Sequence, residues 1–329
     1  MADFDRRLAL TPDALEMMDA IARTGSFAAA ARELGKVPSA LTYSVRQLEQ
    51  ALDVLLFDRR SRNAQLTAAG QELLTEGRRL LAQMDAVANR VRRVATGWET
   101  ELSIAIDNLV EPAVVFELFE AFYAVRVLPP GAEGDGAAAP PPTRLRLRTE
   151  VLSGTWEALL NGQVDVAIGL MPNTLPVSDV EVKPLGKMEM RLAVAPHHPL
   201  AALPELLDDD TVAQHRIVVM ADSAQRMAAQ THGVHAGQDV VTVPNLVTKI
   251  EAQVRGLGCG RLPASLVDRL QAAGKLVGKR TAGPVREVEL LYGWRRSAAH
   301  GKALAWWLQQ LDSPKTRAAL LTHRGTGYL

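Results

Sequence analysis

The run GSFAAAARELGKVPSALTYSVRQLEQALDVLLFDRRSRNAQLTAAG, residues 25–70, decides how this chain is organised. Gly25 closes the apolar run Leu15, Met18, Ile21, Ala22, and glycine enters the left-handed conformation that stops a helix at no steric cost. Ser26 can cap the next helix by accepting a free backbone N–H. Four alanines, Ala28 to Ala31, keep that helix thin enough for a crossing helix to approach. Gly35 ends it, and Pro38 and Ser39 open a third helix. There Leu41, Val45, Leu48 and Leu52 recur in steps of four, three and four, which is one buried face. Ser39, Thr42, Tyr43 and Arg46 fall on the opposite face. Hydroxyls, a phenol and a guanidinium suit base edges and phosphates in a major groove. They equally suit a solvated helix face, and the pattern alone leaves both readings open.

Leu55, Leu56 and Phe57 anchor a short strand, and Arg59, Arg60, Ser61, Arg62 and Asn63 follow as a hairpin tip. Arginines so dense fit a phosphate or minor-groove contact, or else a solvated loop. Leu66 returns to the core and Thr67 caps a helix that starts at Ala68. The stretch is a predicted winged helix-turn-helix over 1–67.

From Ala68 to about Ala95 there is no proline. Leu73, Gly77, Leu80, Met84, Val87, Val91 and Val94 alternate in steps of four and three, a heptad seam. Roughly 28 residues at about 1.5 Å each make a rod of ~42 Å. A rod of that length cannot bury its seam on one small domain, so a second copy is expected along Leu73, Leu80, Met84, Val87 and Val91. A long helix packed within one chain is the competing reading. A dimer would hold two recognition helices about one DNA turn, ~34 Å, apart.

These residues carry a resemblance. Gly25-Ser26-Phe27, the alanine run, Leu48-Glu49, Leu56-Phe57-Asp58-Arg59 and Leu66-Thr67-Ala68-Ala69-Gly70 stand in the order found in LysR-type transcriptional regulators. The wording VPSALTYSVRQLE is closest to the YhaJ-like subgroup. The family often has glutamine where this chain has Pro38, and arginine where it has Tyr43; Thr42 and Arg59 match its pattern better. The resemblance implies double-stranded DNA contacted by Ser26, Pro38, Ser39, Thr42, Tyr43, Arg46, Arg59, Arg60 and Arg62. It also implies a homodimer or homotetramer, leaves room for contact with RNA polymerase, and tilts the small-molecule effector toward an aromatic or quinone-like compound.

Bulk charge does not carry the nucleic-acid reading. Lys and Arg number 37 against 37 Asp and Glu. Residues 1–70 balance too, nine against nine. The expectation rests on motif and local arginines. Cys259 is alone, so no intramolecular disulfide forms. No N-terminal stretch looks like a signal peptide, and none reaches the ~20 apolar residues of a membrane span. A cytoplasmic protein is expected.

Past Gly97-Trp98-Glu99-Thr100, read as a hinge closing a linker over 68–97, the period changes. Leu102, Ile104 and Ile106 alternate as a strand. Helix, strand, helix and strand follow at Glu111 to Tyr123, Arg144 to Val151, Ser153 to Asn161 and Val164 to Leu170. That order predicts a parallel sheet with right-handed crossovers. Leu128 to Thr143, rich in Pro, Gly and Ala, reads as a mobile surface insertion. Further strands are expected at Val180 to Val182, Met190 to Ala195, Ile217 to Ala221, Val240 to Val243 and Val285 to Trp294. Helices are expected at Asn245 to Arg255, Pro263 to Ala273 and Lys302 to Leu311, with the tail from Asp312 peripheral. The fold class is α/β. With the family, the region 98–329 resembles a two-lobed periplasmic-binding-protein-like effector domain. Lobe I spans about 101–171 and 282–312, and lobe II about 172–281.

Ligands of such sheets sit outside the carboxyl ends of the strands. The groups there are Asn108, Ser153, Gly154, Thr155, Met171, Met220, Ser223 and Asn245, with Trp156 as an aromatic wall. Free helix N-termini among them can hold a carboxylate. Helix capping by Ser153 and Ser223 and core packing by Trp156 are the plainer readings. His232 and His235 lack a completing ligand, so no metal is expected. Gly256-x-Gly258-x-Gly260 follows a helix rather than a strand and is no dinucleotide fingerprint. No catalytic constellation and no cofactor site emerges. Two functions remain: a ligand-responsive DNA-binding regulator, or a small-molecule-binding or catalytic α/β protein that uses its winged helix to bind proteins.

Overall fold

The computed structural model describes residues 8–58, 64–128, 138–172, 179–296 and 300–323. The chain divides into two compact units, 1–90 and 91–329.

In the first unit, α1 (Pro12–Thr24), α2 (Phe27–Glu33) and α3 (Pro38–Leu52) pack around Met18, Ile21, Ala30, Ala31, Leu41 and Leu48, all nearly or fully buried. The punctuation follows the side chains. Thr11 accepts from Ala14 N–H at the start of α1, and Gly25 ends it at φ +66. Ser26 accepts from Ala29 N–H to begin α2. Pro38 occupies the first turn of α3, where no side chain caps; proline needs none there, because its missing N–H is one of the four a helix start leaves unpaired. Strands β1 (Phe57–Asp58) and β2 (Gln65–Leu66) pair antiparallel. The turn leading into β1 is held by Glu49, which is buried and accepts the Leu56 N–H at 2.9 Å.

Helix α4 runs Ala68–Thr96, with Thr67 accepting from Gly70 N–H at its start. Its first turns belong to the first unit. Leu73 packs against that core, and a Cβ on Gly77 would lie 2.9 Å from Leu15. Further on, the apolar stripe has no cover among the described residues. Leu80, Met84, Val87 and Val91 are 44, 52, 49 and 67% exposed.

The stretch read as a hinge lies within the second unit. The Gly97 carbonyl accepts from Lys302 N–H, and the buried Glu99 carboxylate accepts from Ala303 N–H. That end of the stretch is tied down. A seven-stranded mixed sheet follows. Its parallel part is β3 (Glu101–Asp107) between β4 (Arg144–Glu150) and β5 (Val166–Leu170). Helices α5 (Pro112–Ala124) and α6 (Ser153–Leu160) supply the crossovers. Strand β3 is buried along almost its whole length, including Ser103 and Ala105 between the expected alternating positions. Such burial on both faces is what a central parallel strand requires.

Two long strands join the lobes. β6 (Val180–Val194) pairs antiparallel with β11 (Glu287–Arg295), which also pairs with β5. The two short strands expected at 180–182 and 190–195 are therefore one. Pro184 and Gly186 lie inside it: a register shift skips Leu185 and turns it into the core, so the ladder continues around them. The second lobe adds α7 (Pro199–Ala202), α8 (Asp209–Ala213), the parallel pair β7 (Ile217–Met220) and β8 (Val240–Val243), and α9 (Leu246–Val254). β9 (Gly260–Pro263), α10 (Ala264–Ala272) and β10 (Val277–Lys279) complete it, both strands lying antiparallel on β6.

After α11 (Lys302–Asp312) comes α12 (Pro314–Leu320), capped by Ser313. Here the expectation of a peripheral tail fails. Leu320 is fully buried in the main core, its carbonyl accepts from Glu111 N–H, and His323 is sealed off as well. Most of the expected insertion lies outside the described residues. Val127, just before it, and Ala139, within it, pair as an antiparallel bridge. No helix among the described residues is long and apolar enough to cross a membrane.

Candidate functional site

In the first unit, the buried side of α3 fixes what its other side presents. With Leu41, Val45 and Leu48 turned inward, Pro38, Ser39, Thr42, Tyr43 and Arg46 are exposed. Tyr43 is 65% exposed and Val37, just before the helix, 62%. Thr42 donates its hydroxyl to the Pro38 carbonyl, which directs the side chain back along the helix. Arg46 makes no ion pair among the described residues. Ser26 is half-buried and spends its hydroxyl on capping α2. Arg59, Arg60 and Arg62 lie outside the described residues. What is shown is a helix with one hydroxyl- and phenol-bearing face free, beside a two-stranded ribbon. Such a face can enter a major groove.

In the second unit, a cavity of about 560 Å³ opens between the lobes. Leu109, Leu152, Met171 and Pro172 line one side. Residues of β7, α9, β9 and the 230–235 loop line the other, with Met190 and the start of β11 between. Ligand cavities commonly have this size and apolar lining. Two of the eight residues expected to hold an effector, Met171 and Met220, line it. The other six bind the chain to itself. Asn108 accepts from Leu246 N–H and donates to the Glu150 carbonyl. Asn245 caps α9 by accepting from Thr248 N–H at 2.9 Å. Thr155 is fully buried, and Trp156 packs in the core while donating to the Met171 carbonyl.

Ser153, Gly154 and Ser223 meet across the lobes. The Asp222 carboxylate accepts the Ser153 and Gly154 N–H groups, each at 3.2 Å, and those of Ala224 and Gln230 at 2.9 and 2.8 Å. The start of α6 therefore already holds an anion, supplied by the chain. Ser223 accepts from Val151 N–H and donates to Glu150 at 2.7 Å. A Cβ on Gly154 would fall 1.8 Å from the Ser223 hydroxyl, so only glycine admits this approach. Glu157 extends the seam by accepting the N–H groups of Gln225, Arg226 and Met227. Burial opposes ionisation of Asp222, but the donors at Ala224, Gln230 and Ser153 outweigh it and hold the carboxyl below the usual carboxylate range.

Two groups nearby, the buried Asp107 and the half-buried Lys249, titrate abnormally. Burial pushes the Asp107 carboxyl up to about 7, although it accepts from Leu109 and Leu152 N–H. Burial pushes the Lys249 amine, which lines the cavity, down to about 8. The reading of single residues missed Lys249. The missed signal was its place on the inward stripe of α9 with Leu246, Ile250 and Gln253, where a lysine is out of pattern. His232 and His235 also line the cavity. Among the described residues no cluster of His, Cys, Asp and Glu could hold a metal ion.

Comparison with known proteins agrees with this division. Residues 12–71 match the bacterial regulatory helix-turn-helix protein of the lysR family, and residues 137–313 the LysR substrate binding domain. YhaJ of Escherichia coli strain K12, a probable HTH-type transcriptional regulator, is 36% identical over 305 residues, 92% of this chain and 96% of its own. YeeY of the same strain, also an HTH-type transcriptional regulator, is 35% identical over 299 residues, 91% of this chain and 92% of its own. Among solved structures, CbnR, a LysR family transcriptional regulator, superposes with a TM-score of 0.60 at 19% identity. The match covers 93% of this chain and 99% of that one.

Proposed function

This chain belongs to the LysR family of DNA-binding transcriptional regulators with an effector-binding domain, and on that premise we propose how its parts work. The domains divide at 1–67, 68–97 and 98–329. Two copies pair along α4 through Leu80, Met84, Val87 and Val91, with Leu73 at the base of the seam, and dimers assemble further into tetramers. Each copy lays α3 in a major groove through Ser39, Thr42, Tyr43 and Arg46. Pro38 and Ser26 lie beside the backbone, and Arg59, Arg60 and Arg62 reach phosphates or the neighbouring minor groove. CbnR has been solved in complex with its target DNA, which supports the same use of this fold. A small molecule enters the cavity between the lobes and shifts the balance between two arrangements of the paired copies, by no more than its difference in affinity for them. RNA polymerase is the further partner on promoter DNA, and the cytoplasm is the compartment.

The observation that carries the DNA reading is the exposed Ser39-Thr42-Tyr43-Arg46 face of a helix whose other side is buried. Fluorescence anisotropy with duplex DNA from upstream of the protein's own gene tests it. Binding should weaken steeply with salt and fall at least tenfold when Thr42→Ala, Tyr43→Ala and Arg59→Ala are combined. Unchanged binding by that triple variant would count for a winged helix that serves protein contacts.

A further inference from the structure

Lys249 extends from α9 into the cavity, and its ε-carbon would lie 3.3 Å from a Cβ at Gly260. Among the described residues its ammonium makes no hydrogen bond and no ion pair. The other charges around the cavity are differently placed. Arg286 pairs with Asp209 at 3.2 Å, Glu287 with Lys187 at 3.7 Å, and Arg261 donates to the Thr281 hydroxyl at 3.2 Å. Glu287 and Glu289 are exposed. The remaining lining is largely apolar: Leu109, Leu152, Met171, Met190, Met220 and Val219.

Lys249 is half-buried; a partly desolvated cation without a counter-charge is unfavourable, and an anion brought by a ligand offsets that cost. The start of α6, where a free helix N-terminus was expected to hold a ligand's carboxylate, is filled by Asp222. We infer that the cavity takes a compact monoacid, its apolar body against the methionines and leucines and its single carboxylate against the Lys249 ammonium. Glu287 and Glu289, which also line the cavity, disfavour a second negative charge on the ligand. The inference rests on reading this cleft as the effector site.

Calorimetric titration of the full-length protein tests it, with benzoate, phenylacetate, cinnamate and hexanoate each set against its own primary amide. At least one acid should bind wild type ten times or more tighter than its amide. Lys249→Met should bring that acid down to the level of the amide, and Lys249→Gln should do the same. Ligand-free Lys249→Met should melt at or above the wild-type temperature, because it removes a half-buried unpaired charge. The inference is overturned if no acid outbinds its amide on wild type, or if either variant keeps the preference. No DNA is present in these titrations. Failure of DNA binding in the anisotropy assay would therefore strike the regulator cycle alone, and equal binding of acids and amides would strike this inference alone.

Discussion

The Asp107 carboxylate accepts the Leu152 N–H at 2.9 Å, and Leu152 is held at φ +54 and ψ −121 immediately before α6. A non-glycine residue there carries strain of about 1–3 kcal/mol and persists only when its surroundings fix it. Asp107 does part of that fixing from the end of β3, with Thr155 beside it and the like charge of Asp222 nearby.

That carboxyl titrates at about 7 in the folded chain. Its pKa is raised, so the folded state keeps a proton that the unfolded chain gives up near pH 4. The contribution is favourable at low pH and is lost as pH rises toward about 7. Asp107→Asn cannot titrate and leaves one N–H without a good acceptor. The variant should melt several degrees below wild type near pH 5, and the gap should narrow by about pH 8. Paired melting curves across that range check it, and a constant gap would refute the buried proton.

Asp222→Asn should bare the start of α6. Four N–H groups lose a charged acceptor, and hydrogen bonds to charged groups contribute about 1.5–3 kcal/mol. A lower melting temperature is expected. Added sulfate should recover more of it in the variant than in wild type, since an anion can then settle on the freed N–H groups. Equal sulfate responses would show that the carboxylate is not what fills the position.

Binding of an acid at Lys249 should weaken as pH rises beyond about 8. The amine is ionised below that value, and burial has brought it down from 10.5. In the ligand-free protein the same shift works in reverse. The unfolded chain binds the proton first, so this group's contribution to stability grows between about pH 8 and 10.5. The charges lining the same cavity are Arg261 from β9, Arg286, Glu287 and Glu289 beside and within β11, and His232 and His235 from the loop; Cys259 also acts on the amine. Titrations from about pH 7 to 9.5 check it. Lys249→Arg should hold its affinity across the range, because a guanidinium stays charged.

Met84→Asp with Val87→Asp should give a monomer in sedimentation velocity. Both side chains are about half exposed on a stripe that no described residue covers, and charges at facing seam positions would repel. DNA carrying two half-sites should bind at least tenfold more weakly. A dimer that survives both changes would place the contact elsewhere.

How far the residues announced this structure depends on distance along the chain. The stops and starts of the first unit were legible because each is decided within four residues: Gly25 against Ile21, Ser26 against Ala29, Thr67 against Gly70. The α4 stripe was legible because its period is regular. The continuity of β6 was not, because Pro184 and Gly186 look like a break until β11 pairs across them. Nor was α12, whose one fully buried leucine matters only once Glu111 is beside it. In the cleft, Met171 and Met220 could be picked from strand ends. The pairing of Asp222 with Ser153 spans 69 residues and leaves no local trace. Lys249 resembled any helical lysine until its neighbours on the helix were seen to point inward.

Cys259 is fully buried, and burial is the main force raising its thiol to about 11. A sulfur kept protonated and sealed makes a poor target for peroxides and alkylating agents. Ellman's reagent should leave the native chain unmodified and react once when it is denatured. Under oxidative stress, then, the one thiol of this regulator should stay as it is, deaf to the redox state of the cell around it.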